Sequence, residues 1–348
     1  MSLQSPFLFT VCQVGAEPAL KKEVARDFPQ LKFAYSRPGF VTFKSAEPLS
    51  VESDFQLVFA RLSGLSMPKI ASIPDFVKTL QSLNLSGPIC VHVFERDQHI
   101  PGEEPKGFTS GGWSGPAIEE LRAQQGSLSL EINRPAQAGE LVVNLILLGP
   151  QEYWMGVHRA RAGLSFYPGA NPGVTQPKEA PSRAFVKLEE GLLWSKAPLQ
   201  AKDLAVEFGS APGGASYSLL KRGLRVIGVD PGKMDPRILE EKNYRHISKT
   251  VATVFPPELS QSVQWLLVDM NVKPSVSLFA VDRFAVAFKS SLQGVLLTIK
   301  LNEWKMADEI PSMFEHVRSM GMSRVKATQL PSNGQEIFIA GFTRQALL

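Results

Sequence analysis

The chain has 348 residues, enough for two or three domains, and its 44% hydrophobic and 20% charged residues are those of a globular protein. No apolar run approaches the roughly 20 residues of a membrane-spanning helix; the longest, 141–148, is interrupted by Asn144. The net charge is +4, and residues 181–348 hold 21 Lys and Arg against 16 Asp and Glu, so the basic excess lies in the C-terminal half and favours a polyanionic partner there.

Residues 7–14 read as a strand, and 17–27 as a helix with Pro18 in its first turn. Strand-like pieces at 33–35 and 40–43 are joined by a Pro38-Gly39 turn, and 56–65 reads as a second helix or the strand before one. These make a small α+β unit over residues 1–72. A helix at 75–83, a strand at 88–95 and a long Gly-, Pro- and charge-rich loop at 96–115 follow. A helix at 117–124 and strands at 128–132 and 141–148 complete a second α+β unit, 73–165, with a Gly/Pro-rich linker at 166–180. Arg159 and Arg161, beside Phe166 and Tyr167, are either a strip for phosphates and bases or a plain strand end with exposed arginines. Cys12 and Cys90 lie in apolar runs and form neither a zinc spacing nor a disulfide framework, and no basic region precedes the first apolar run. The expected location is the cytoplasm.

From residue 181 the pattern changes to strands alternating with helices. Residues 181–194 read as a helix with Ser182 as N-cap or first-turn residue, an apolar face of Phe185, Leu188, Leu192 and Leu193, and Lys187 off that face. The stretch 203–230 reads as strand, glycine turn, helix and strand, closing on Asp230. Further strands run 263–268, ending on Asp269, and 294–300, ending on Lys300, with helices at 277–292 and 304–320 between and after them. Strands at 325–330 and 336–342, around a Pro-Ser-Asn-Gly turn, close the chain as a hairpin. The expected fold is α/β: a Rossmann-like, doubly wound, mostly parallel sheet with an antiparallel edge over 181–348.

In such a sheet the ligand crevice lies at the carboxyl ends of the strands. The turn from Gly209 through Pro212, Gly213 and Gly214 is GxxPGG. It brings backbone N–H groups and a helix N-terminus to a ligand, but it fits neither GxGxxG nor the GxxxxGK[ST] phosphate loop. An ordinary βα turn that binds nothing remains open for these residues alone. Asp230 follows Gly209 at the distance where an acid takes ribose hydroxyls. A lysine closing a continuous apolar run is unusual, because lysine is costly to bury. Asp269 and Lys300 are expected to come together over the crevice, with Lys187 and Glu336 completing the cluster, although each of the four taken alone also reads as a cap or a surface ion pair. The five histidines (His92, His99, His158, His246 and His316) are scattered without ligand spacing.

These residues resemble the FtsJ-like ribose 2′-O-methyltransferases. The likeness is carried by SRAFVKLEE (182–190), FGSAPGG (208–214), the acid at Asp230, LLVDM (266–270) and LLTIKL (296–301). FTVCQVGAEPALKKEVA (9–25) and the α+β units ahead of the junction are similar to the RlmM-type subgroup. That subgroup methylates large-subunit ribosomal RNA and carries a ferredoxin-like piece and a THUMP RNA-binding domain before the enzyme.

The resemblance implies S-adenosylmethionine as methyl donor, S-adenosylhomocysteine as product, no metal, and a cytidine of large-subunit (23S) ribosomal RNA as target. It implies donor contacts from Ser182, Gly209, Pro212, Gly213, Gly214, Ala215, Asp230, Asp269 and the Thr250 position. It also implies Lys300 as the base on the ribose hydroxyl with Lys187, Asp269 and Glu336 around it. Arg159, Arg161 and Arg183 are the expected RNA contacts. The chain departs from the family's usual Asp at Glu207, Trp or Phe at Ala215, and adenine-binding acid at Thr250. An RNA-binding protein that kept the fold and lost the donor site is the alternative; a nicotinamide dehydrogenase is disfavoured by GxxPGG and the lysine-ended strand.

Overall fold

The computed structural model describes residues 3–98, 111–161, 163–260 and 262–347; most of the long loop expected at 96–115, with His99, lies outside them. The chain divides into two compact units, Met1–Pro172 and Gly173–Leu348. The division falls inside the expected linker. No helix among the described residues is long and apolar enough to cross a membrane.

In the first unit the strands are β1 (Gln4–Val11), β2 (Leu31–Arg37), β3 (Phe40–Ser50), β4 (Leu62–Ser66), β5 (Ile89–Glu95), β6 (Leu130–Ile132), β7 (Leu141–Gly149) and β8 (Glu152–Arg159). The helices are α1 (Glu17–Asp27), α2 (Ile73–Ser82) and α3 (Ser114–Gln124). All eight strands form one sheet, ordered β2-β3-β1-β4-β8-β7-β5-β6. The boundary expected at residue 72 falls between β4 and α2, and the sheet runs across it through the pairs Leu65↔Val157 and Ser66↔Gly156.

Residues 56–61 are not helical; only the strand alternative for 56–65 survives, as β4. Of the strand β8, the sequence offers only an end near Arg159 and Arg161, as one of two readings. Its apolar residues do not alternate cleanly, and its hydrogen bonds to β7 and β4 decide its conformation. The helices α2 and α3 bury Ile73, Phe76, Leu80 and Leu121 against Val91, Val143 and Leu145 of the sheet.

The second unit contains β9 (Leu204–Phe208), β10 (Arg225–Val229), β11 (Tyr244–Ile247), β12 (Trp265–Asp269), β13 (Gly294–Lys300), β14 (Arg324–Thr328) and β15 (Glu336–Phe342). Its helices are α4 (Ala184–Ser195), α5 (Gly214–Lys221), α6 (Pro236–Leu239), α7 (Pro256–Leu259), α8 (Pro274–Ala287) and α9 (Ile310–Ser319). The sheet order is β11-β10-β9-β12-β13-β15-β14. Every pairing is parallel except the two made by β15. This is a Rossmann-like mixed sheet, and the strand order reverses between β9 and β12.

Three expectations are corrected here. The antiparallel strand does not form the sheet edge; β15 returns between β13 and β14, because the turn at 329–335 sends it back beside β13. The helix expected over 304–320 is 3-10 up to Glu309 and α only from Ile310, with a proline in its first turn. Ser182 is neither N-cap nor first-turn residue, since Arg183 holds the N-cap position and no side chain caps α4.

Candidate functional site

The strand β9 runs fully buried to Phe208 and then turns at Gly209, which adopts φ 82°. A Cβ at this position would lie 2.9 Å from the carbonyl carbon of Asp269, so only glycine lets the turn pack against the end of β12. The next strand braces the turn. Asp230 accepts the N–H of Ala211 at 3.1 Å on Oδ2 and that of Gly232 at 2.6 Å on Oδ1. The Pro212 carbonyl accepts the N–H of Asp235 at 3.1 Å, and Gly213 is the N-cap of α5. Gly214 lies against Ser182, where a Cβ would come within 2.6 Å of the Ser182 carbonyl oxygen. The Ser182 hydroxyl is buried there without a protein partner, which leaves its donor and acceptor capacity for a bound group. Ala215 is buried in the first turn of α5. Thr250 lies after β11 on an exposed segment, with its hydroxyl facing that of Thr253.

On the other side of the reversal, four charged side chains meet. Lys187 of α4 lies 2.6 Å from Glu336 Oε1 and 3.4 Å from Asp269 Oδ2, and Lys300 at the end of β13 binds Glu336 Oε2. The β13–β15 register pairs Lys300 with Glu336, so the ion pair spans adjacent strands. Glu336 is 2% exposed, yet both lysines keep an open side.

Burial alone would raise the Glu336 carboxyl and lower the Lys187 ammonium. The ion pairs outweigh burial in both, holding Glu336 below and Lys187 above its usual range. For Asp269 the balance reverses: burial raises its carboxyl by more than Lys187 lowers it. A cavity of about 20 Å³ adjoins the cluster, lined by Lys187, Glu207, Ala215, Asp269, Thr298 and Phe338 among others. It has room for one water molecule.

Two contributors are not among the expected site residues, although Glu207 stands where the family usually has Asp. Glu207 on β9 is 2% exposed, and its Oε2 accepts the Ser216 hydroxyl at 2.5 Å. Burial, with Asp269 and Asp230 adding to it, pushes its carboxyl up to about 8, so it is largely protonated at neutral pH. Asn333 donates to Glu336 Oε1 at 3.1 Å. The only signal for it was its place in the Pro-Ser-Asn-Gly turn, three residues before Glu336.

Of the arginines expected to meet RNA, Arg159 and Arg161 both pair with Glu52, at 2.5 and 3.2 Å. Arg183 stands at the head of α4. Both cysteines are free and buried. Among the described residues, no group of three or more His, Cys, Asp and Glu is arranged to hold a metal ion.

Residues 180–301 match the model of the FtsJ-like methyltransferases. The chain is similar to the ribosomal RNA large subunit methyltransferase M of Tolumonas auensis, 28% identical over 295 residues that cover 77% of this chain and 76% of that one. It is also similar to the protein of the same name from Shewanella sp. (strain ANA-3), 23% identical over 348 residues and 91% of both chains. A third relative of that name, from Proteus mirabilis, is 25% identical over 334 residues, covering 88% of this chain and 87% of that one. The glycine turn, the acid-ended strands and the lysine-ended β13 all fall within the matched segment or at its boundary with the hairpin, and residues 180–301 of this chain form an FtsJ-like methyltransferase domain.

Proposed function

We propose that the chain is an S-adenosylmethionine-dependent RNA methyltransferase that modifies a ribose 2′-hydroxyl in large-subunit ribosomal RNA, at a cytidine. One observation carries the reading: Lys187, Asp269, Lys300 and Glu336 converge at the strand ends beside a glycine turn in an FtsJ-like domain. The shared name of the relatives supports the substrate.

The residues of the glycine turn fit the donor. Ser182 offers an unpartnered buried hydroxyl, Gly209 and Gly214 let the turn pack closely against Asp269 and Ser182, and Asp230 stands beside the turn with two acceptor oxygens. Ser182, Gly209, Pro212, Gly213, Gly214, Ala215, Asp230 and Asp269 would hold it, and Thr250 would lie towards its adenine end. When bound, S-adenosylmethionine would supply a methyl group activated by its sulfonium charge, with S-adenosylhomocysteine as the leaving group.

The chain's own residues handle the proton. A ribose hydroxyl is a weak nucleophile and must lose its proton as it attacks. For this, Lys300 first gives up its ammonium proton to solvent; the neutral Nζ then accepts the hydroxyl proton and restores the ammonium that Glu336 binds. Glu336 orients both lysines, and Lys187 places a second cation beside the base. The front unit, with its ferredoxin-like and THUMP-like parts and Arg159 and Arg161 as phosphate contacts, would hold the RNA in the cytoplasm, and Arg183 would add a contact from the second unit.

The test is transfer of labelled methyl from S-adenosylmethionine to ribosomal RNA of a strain lacking this protein, with Lys300→Ala alongside. Label at a ribose of the large-subunit RNA that disappears in the variant supports the reading. RNA binding with no transfer by the wild-type chain favours the RNA-binding alternative, for which Ala215 and Thr250 are the motivating departures.

A further inference from the structure

We infer that Glu190 and Asn333 are positioning residues of this site: they fasten the β14–β15 turn to α4 and fix the Glu336 carboxylate between its two lysines. The inference rests on the reading of Lys187, Asp269, Lys300 and Glu336 as the reacting cluster.

The helix α4 carries Lys187 and Glu190 three residues apart, hence as neighbours on one surface. Both reach the same part of the chain. Lys187 binds Glu336, while Glu190 Oε2 accepts the Ser332 backbone N–H at 2.9 Å and the Ser332 hydroxyl at 2.6 Å. A turn at the sheet margin is thus held against the helix that supplies Lys187.

Inside the turn, Asn333 works in both directions. Its Oδ1 accepts the N–H of Leu330 at 2.8 Å, and its Nδ2 donates to Glu336 Oε1 at 3.1 Å. The Gln329 amide donates to the Gly334 carbonyl at 3.1 Å and tightens the same loop. Strand register fixes the Glu336 backbone opposite Lys300 but does not fix its carboxylate, because the last torsion of a glutamate is broad. The Asn333 amide restrains that torsion, leaving Oε1 with Lys187 and Oε2 with Lys300.

Burial argues against an ordinary turn. Glu190 and Asn333 are each 3% exposed and Ser332 is 8% exposed. Connecting turns run on the surface, and buried polar groups are costly unless they are bonded. Here two bonds from Ser332 to Glu190 and one from the adjacent Asn333 to Glu336 connect α4 to the carboxylate that both lysines share.

The experiment compares full-length Asn333→Leu, Glu190→Leu and Glu190→Gln with wild type, measuring kcat, KM for RNA, donor affinity and melting temperature. Asn333→Leu is expected to lose kcat by about ten- to a hundredfold, the scale of a misplaced catalytic group. Its donor affinity and KM are expected to stay within about twofold. Glu190→Gln keeps the acceptor and retains activity, whereas Glu190→Leu follows Asn333→Leu; if Glu190→Leu does not fold, Asn333→Leu decides.

A crystal structure of Asn333→Leu is expected to show the Glu336 carboxylate rotated away from one lysine. An unmoved carboxylate overturns the inference whatever the activity, as does a wild-type kcat in Asn333→Leu, or a joint loss of kcat, donor affinity and melting temperature. A wild-type chain that transfers no methyl to RNA overturns the functional reading instead.

Discussion

Lys300 and Glu336 stand opposite each other on β13 and β15, and the ammonium of one is bonded to the carboxylate of the other. The relationship depends on strand direction. Only an antiparallel neighbour starting at the carboxyl end of β13 brings the first residue of β15 beside the last residue of β13. With Lys187 approaching from α4, a nearly buried carboxylate serves two cations.

Loss of Lys300 tests the chemistry directly. Lys300→Met is expected to lower methyl transfer by at least about 10²-fold, the lower range for removal of a general base. Donor affinity measured by calorimetry is expected to stay near wild type. A Lys300→Met enzyme that retained full transfer would exclude the residue as base.

Loss of Glu336 is expected to destabilise the fold, because Lys187 and Lys300 lose their shared partner. For Glu336→Ala the expected loss is about 3 kcal/mol by urea unfolding at pH 7, within the range for breaking a buried pair. The lysines hold the Glu336 carboxyl below its ordinary range even though burial alone would raise it. Its contribution is therefore present above the unfolded-state value and lost as pH falls through the folded one. The gap between wild type and Glu336→Gln is expected to narrow below about pH 4; a constant gap would contradict the assignment.

The first unit carries an acid-sensitive pair. Burial pushes both His92 and His158 down to about 4, and the ring of His158 lies between Asn144 and the Ser165 carbonyl. The unfolded chain takes up protons near pH 6.5, whereas the folded chain resists until about pH 4. Stability is therefore intact above pH 6.5 and falls as pH drops towards 4, by about 1.4 kcal/mol per pH unit for each histidine. His158→Gln is expected to flatten that slope in unfolding curves at several pH values.

Glu207 has the opposite sign. Its folded carboxyl titrates at about 8, above the ordinary value, so it stabilises fully at acid pH and loses stability as pH rises towards 8. Glu207→Gln, which keeps the acceptor for Ser216, is expected to melt higher than wild type at pH 8 and nearly equal at pH 5. Equal shifts at both pH values would mean that the carboxyl does not titrate in this window.

Arg159 and Arg161 offer a separate test of the RNA-binding strip. Their pairs with Glu52 are partly exposed, so each contributes at most about 1 kcal/mol and can be exchanged for a phosphate. Replacing both with alanine is expected to weaken RNA binding and reduce the salt slope by about one for each phosphate that is no longer neutralised. An unchanged slope would leave the arginines as structural partners of Glu52.

Sequence alone determined what local periodicity and residue chemistry can encode. Strands β9, β10, β12 and β13 and the glycine turn were readable because continuous apolar runs end on glycine or a charged group, and burial on both faces of a sheet leaves few other ways to write such a strand. Lys300 stood out for the same reason, as a charge closing an apolar run. Tertiary structure decided what depends on partners distant in the chain: β8 and β11, whose neighbours define them, and the insertion of β15 between β13 and β14. It also decided the burial that leaves Glu207 protonated, and the bonds by which Glu190 and Asn333 reach the turn and Glu336. A carboxylate's charge and orientation are properties of its surroundings, and for these residues the surroundings are assembled only when α4, β9 and the last hairpin pack together.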